Sequence, residues 1–249
     1  MVILGLAATA ASVAGSSSAR PASRHRHAAP KVHGKHAAAR RPHIEAEPET
    51  IPALEPRSAE LEPIVSTAPA LPRSALDPQR QIRTALLDDA LVALKRHGDR
   101  IANKDHIFLV DFQQHSSKPR LFKLDLRTGQ VQSFRTAHGR GSDPSRTGFA
   151  KRFSNTPNSD ASSVGAYVTA GQSVGARDGA NVLLDGLDAT NNQARARAVI
   201  VHGADYCEPG YLAREGMLGR SNGCFALSHA DLKTLRPIMD SGRLIFAGN

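Results

Sequence analysis

A chain of 249 residues with 4% aromatics and no tryptophan must build an aliphatic core, and it has room for one ordinary domain plus appendages. The formal charge of +9 is unevenly placed: residues 16–43 carry seven Lys and Arg and no Asp or Glu, so basicity belongs mainly to a tail. Two cysteines are too few for a disulfide framework, and the absence of repeats, phosphate-binding glycine loops and nucleic-acid motifs argues against nucleotide- and nucleic-acid-binding classes.

In chain order, residues 1–19 (MVILGLAATAASVAGSSSA) form an apolar run followed by small residues, with no charge before Arg20. This reads as a signal peptide lacking its basic start, or as an N-terminal anchor. Residues 20–76 pass from Arg/His/Ala to Pro/Glu/Ala composition, which forbids long helices and leaves a solvated, extended linker. The folded domain is expected over 77–249. Asp77-Pro78 supplies an N-cap and a first-position proline, so a helix is expected from there to Gly98, with Ile82, Leu86, Leu87, Ala90, Leu91 and Leu94 on its apolar face.

Strands follow at HIFLVDF (106–112), RLFKLDL (120–126) and QVQSFRTA (130–137), the last two joined by an Arg127-Thr128-Gly129 turn. Residues 138–162 are rich in Gly, Ser, Asn, Asp and Pro and read as a long loop. VGAYVTA (164–170), NVLLDGL (181–187) and the Val199-Ile200-Val201 run are further strands. Ser228-His229-Ala230-Asp231 resembles a capping box that starts a helix through Met239, and RLIFA (243–247) closes the chain. Strands dominate, so the fold class is mainly β, mixed α+β, with a few flanking helices.

The chemistry concentrates between residues 198 and 227. His202 and Gly203 follow a short buried strand, and Cys224 follows Gly223 on a turn, Arg220-Ser221-Asn222-Gly223-Cys224. A thiol is nucleophilic as its thiolate, and an imidazole at hand generates it near neutral pH. Gly223 lets the chain turn sharply, leaving backbone N–H groups of Gly223 and Cys224, with the Asn222 amide, as donors for an oxyanion. Arg220, Ser221 and Tyr206 are candidate substrate contacts, with Arg195, Arg197, Ser163 and Tyr167 as weaker ones. Two other readings exist: a structural Cys207–Cys224 disulfide, and a zinc site using Asp205 with His138 or His229. No HExxH or close His pair supports the zinc site, and a thiol site explains more residues. Thiol acyl transfer needs no metal or organic cofactor, and none is expected.

The HG…SxGC arrangement resembles the L,D-transpeptidase (YkuD-type) domains that cross-link bacterial peptidoglycan, in the subgroup reading like HGADY…GRSxGCxAL. The similarity extends upstream through RLFKLDLRTGQV, FSNTPNSDASSVGAYVT and LLDGLDATNNQARARAVIVHG, covering roughly residues 105–249. It implies a YkuD-like β-sandwich, Cys224 as nucleophile, His202 as base and the Gly203 carbonyl orienting the imidazole. It also implies peptidoglycan stem peptides as partners and, with the apolar N-terminal segment, export to the periplasm or cell wall. No nucleic acid is expected as a partner, and a monomer is expected. By the family's chemistry, Cys224 attacks the amide after the L-centre of the third stem residue, expels a D-amino acid, and passes the acyl group to a side-chain amine. Many family members carry a second histidine two residues before the cysteine; here Asn222 stands in that place. Alternatives are an L,D-carboxypeptidase or amidase using water, and a non-catalytic wall-binding module.

Overall fold

The computed structural model describes residues 71–240 and 242–249; the signal or anchor, the basic tail and most of the linker lie outside them. Among the described residues are ten strands: β1 (His106–Asp111), β2 (Leu121–Asp125), β3 (Val131–Phe134), β4 (His138–Gly139), β5 (Gly165–Gly175), β6 (Gly179–Gly186), β7 (Ile200–Gly203), β8 (Arg220–Ser221), β9 (Phe225–Leu227) and β10 (Leu244–Gly248). Three helices, α1 (Thr84–Arg96), α2 (Pro209–Glu215) and α3 (His229–Leu235), accompany them.

Eight strands form one mixed sheet in the order β3-β2-β1-β10-β5-β6-β7-β9, with β1/β10 and β7/β9 parallel. Alternation along the strands divides the core between the two faces. Ile107, Leu109, Phe122, Leu124, Ala166 and Leu244 meet α1 through Leu86, Leu87, Ala90 and Ala93. Phe108, Val110, Leu121, Tyr167, Ile245 and Ala247 belong to the cluster on the other face, which continues through Phe225 and Leu227 to Leu232 and Leu235 of α3. The fold is therefore mostly β with a large mixed sheet and three helices. Among the described residues, no helix is long and apolar enough to cross a membrane.

The first helix begins later than the sequence implies. Asp77 has φ +52, and its carboxylate accepts the backbone N–H groups of Gln81 and Ile82, so the capping chemistry closes a turn and α1 starts only at Thr84. The domain also begins earlier than residue 77. Leu71 N–H donates to Leu126 O at 3.1 Å and Leu76 is buried, so residues 71–76 pack beside the β2–β3 turn and are not linker.

The 138–162 segment is ordered by its own polar groups. Asp143 accepts the N–H groups of Thr147 and Gly148, Ser142 Oγ accepts Ser162 N–H, and Asp160 O accepts Gly141 N–H. Within it, β4 pairs in parallel with β8, setting His138 beside Arg220 and Gly139 beside Ser221. This two-stranded ladder joins the loop to the segment leading into Cys224.

Candidate active site

The site forms where parallel β7 and β9 lie side by side, with His202 opposite Ala226 and Gly203 opposite Leu227. Val201 and Phe225 anchor this corner in the core, while His202 ends β7 and Cys224 immediately precedes β9. Both line a cleft of about 720 Å³, together with Tyr206, Arg220, Asn222 and Arg197.

His202 is largely buried, and its Nδ1 lies 3.0 Å from Gly203 O. A carbonyl can only accept, so this contact puts the ring proton on Nδ1 and leaves Nε2 with a lone pair. Cys224 Sγ contacts Ala198 O at 3.5 Å. Burial pushes the Cys224 thiol up from its ordinary value, against the lowering effect of the Ile200 N–H and Arg197; Asp178 pushes it further up. Unassisted, the thiol is thus held protonated. Beside it, Ala198 adopts φ +52, a conformation that a residue with a Cβ rarely takes.

The cysteine turn is locked from within. Gly223 has φ +118, and a Cβ there would stand 2.8 Å from Ala161 O, so no side chain fits without strain. Ser221 Oγ accepts Gly223 N–H at 3.1 Å and donates to Cys224 O at 2.8 Å. Ser221 thus spends its hydroxyl proton on the turn while lining the cleft, and the Gly223 N–H is engaged by Ser221 Oγ.

The arginines are committed as well. Arg220 Nη1 donates to Asp143 O and Pro144 O, which ties the turn to the 138–162 loop. Arg197 donates to Ala161 O (2.5 Å) and Ser154 O (2.8 Å), while Arg195 pairs with Asp185 at the surface. Tyr206 lines the cleft and its hydroxyl is held protonated by burial. Ser163 and Tyr167 lie buried beneath the site, hydrogen-bonded to each other at 2.7 Å, and do not face the cleft.

Cys207 and Cys224 are both free thiols. Cys207 is packed among Ala137, Ala204, Leu218 and Ala226, and burial pushes its thiol up to about 12. Of the candidate zinc ligands, Asp205 meets His229 at 3.0 Å, and His138 alone is enclosed elsewhere. Among the described residues, no three His, Cys, Asp or Glu side chains converge as a metal site requires.

Sequence reasoning missed two groups. Arg177 and Asp178, on the β5–β6 turn, reach the cleft, and only the hairpin's length brings them there. Arg120 is fully buried, donating to Thr136 O, Gln114 O and His138 Nδ1 (2.8 Å). Burial pulls its guanidinium down to about 9, so it remains charged at neutral pH. Burial, then the Arg120 charge, lower His138 to about 4, keeping the imidazole neutral as an acceptor from Arg120. Nothing in the alternating pattern of RLFKLDL distinguishes Arg120 from an exposed strand-end arginine.

A family profile described as the L,D-transpeptidase catalytic domain matches residues 78–247. No curated protein matches the chain. Among solved structures, the chain is similar to an L,D-transpeptidase from Mycobacterium smegmatis at 12% identity and TM-score 0.36, covering 58% of this chain and 59% of that one. It is also similar to an L,D-transpeptidase from Mycobacterium tuberculosis (15%, TM-score 0.37, 58% of each chain) and to L,D-transpeptidase 3 from that organism (14%, TM-score 0.35, 58% and 61%). The chain thus spans about three-fifths of the length of these structures. Since the profile takes in both β7 with His202 and the turn with Cys224, and covers most of the sequence, the chain belongs to the L,D-transpeptidase catalytic domain family.

Proposed function

We propose that the protein is an exported peptidoglycan L,D-transpeptidase that works through a thioester on Cys224, in the subgroup with SxGC in place of SHGC. The observation that carries this is the shared cleft of His202 and Cys224, with His202 Nδ1 held on Gly203 O so that Nε2 is the basic nitrogen. The donor is a stem peptide ending in a D-amino acid. As Sγ bonds to the carbonyl carbon, His202 Nε2 takes the thiol proton; as the C–N bond breaks, it returns that proton to the departing amine. In the second half-reaction an acceptor amine forms the new C–N bond while the C–S bond breaks. His202 carries the amine's proton to the leaving sulfur.

The Cys224 N–H, with the Asn222 side-chain amide at the cleft rim, stabilises the oxyanion. Gly223 and Ser221 serve by shaping the turn, and Arg220 by fastening it to the loop at Asp143 and Pro144. Tyr206 forms part of the wall against which the stem lies. Residues 1–19 direct the chain out of the cytoplasm, and the domain acts as a monomer in the periplasm or wall.

The test is product analysis by mass spectrometry after incubating the full chain, reduced, with tetrapeptide-stem muropeptides. Cross-linked dimers are expected. Trimmed monomers alone would mean that water is the acceptor and make the protein a carboxypeptidase. Retained binding of the polymer without any product would leave a wall-binding module.

A further inference from the structure

The wall of the catalytic cleft carries a second imidazole–carboxylate pair that the thiol chemistry leaves unused. His229 Nε2 lies 3.0 Å from Asp205 Oδ1, and both residues line the cleft. The Asp205 side chain is 97% exposed and that of His229 60%. Asp205 starts the short turn Asp205–Cys207, three residues beyond His202. His229 opens α3, and its backbone N–H donates to Glu208 Oε1 at 2.8 Å. Its ring rests on Gly203: a Cβ there would come within 2.5 Å of Nδ1. The imidazole that holds Asp205 therefore sits on the residue whose carbonyl orients His202.

The charges of the cleft are unequal in their commitments. Arg197 and Arg220 are bound to backbone carbonyls, and Arg177 and Asp178 reach the cleft from the β5–β6 turn; of the two carboxylates that line it, Asp205 is the one held by an imidazole. A carboxylate in the same cleft as the base attracts a primary ammonium group and gives it an orientation.

We propose that Asp205, positioned by His229, is the docking point for the ammonium group of the acceptor stem, and so favours an amine over water as acceptor. This rests on the transpeptidase reading and assigns its second substrate a place. Asp205 takes no proton in the reaction. The docked ammonium gives one proton to water, the amine forms the C–N bond as C–S breaks, and His202 moves the second proton to sulfur.

The experiment uses the full chain with a tetrapeptide-stem donor and a titrated tripeptide-stem acceptor bearing a side-chain amine. Intact-protein mass follows the thioester, and the ratio of dimer to hydrolysed stem follows the acceptor. Asp205→Asn is expected to retain the donor half-reaction while needing about fivefold more acceptor to reach the same ratio, the upper range for an exposed ion pair. Asp88→Asn, in the surface pair with Arg73 on α1, is expected to leave that requirement unchanged. An unchanged ratio in Asp205→Asn, an equal loss of thioester formation, or the shift found instead in Asp178→Asn, the cleft's other carboxylate, would overturn the assignment. A wild-type thioester that yields only hydrolysed stem would defeat the acceptor site and leave acyl transfer standing. Absence of any thioester would defeat the parent reading, and this one with it.

Discussion

At the scale of single residues, the account turns on how Cys224 is held. Because burial raises its thiol, alkylation by iodoacetamide should climb through the alkaline range, above the ~8.5 midpoint of a free cysteine. Cys207, buried and raised to about 12, should stay unmodified in the folded protein, as peptide mapping would show. A Cys224 midpoint below that of a free cysteine would instead mean a preformed thiolate. Ser221 separates two roles cleanly. Its hydroxyl spans the turn, so Ser221→Ala should lower kcat with little change in KM; a rise in KM alone would return the hydroxyl to the substrate. Gly223→Ala forces a side chain into φ +118, at a cost of about 1–3 kcal/mol measurable by denaturant unfolding.

At the scale of elements, the small β4–β8 ladder links the cysteine turn to the 138–162 loop. Ser162 Oγ accepts Gly139 N–H at 3.0 Å and approaches Gly223 O at 3.4 Å, so it bridges the ladder and the turn. Ser162→Ala leaves Gly139 N–H buried without its acceptor and should cost about 1–3 kcal/mol in unfolding free energy. No loss in stability would mean that the ladder holds without this bridge.

Elements with a clear apolar pattern were legible in the sequence: the strands β1, β2, β5 and β10, and the buried stripe of α1. The start of α1 was not, because Asp77 can satisfy backbone N–H groups in a turn as readily as in a helix. Helix α2 was overlooked although Pro209 opens it and Gly216, at φ +70, ends it; with no buried residue, it leaves no apolar pattern to read. Much of the order in the 138–162 loop comes from polar groups distant in sequence, such as Ser142 with Ser162 and Gly141 with Asp160, which no local signal encodes.

At the scale of the whole molecule, the site stands at one end of a continuous sheet and is backed by a buried cation. Arg120, His138 and Asp143 form a polar cluster behind the β4–β8 ladder, with Arg220 also acting on His138. His138 falls from 6.5 to about 4 on folding, so between these values the unfolded chain binds the extra proton. Stability therefore rises with pH across that window and is lost on acidification, by about 3 kcal/mol at most. His138→Gln should flatten this part of the stability–pH curve in denaturant titrations; an unaltered slope would assign acid sensitivity to the carboxylates. That His202 and Cys224 face one cleft was legible because both lie in the single stretch 198–227, whereas the Arg120 cluster, assembled from separate segments, had to be seen folded.

The central claim is that Cys224 carries the acyl group. Its most direct test is intact-protein mass spectrometry of the full chain, reduced and incubated with a tetrapeptide-stem muropeptide, beside Cys224→Ala. The account predicts a covalent adduct of the donor less its terminal D-amino acid, mapped to the Cys224 peptide and absent from the variant. No adduct and no product from the wild-type chain, or an adduct that persists in Cys224→Ala, would contradict it.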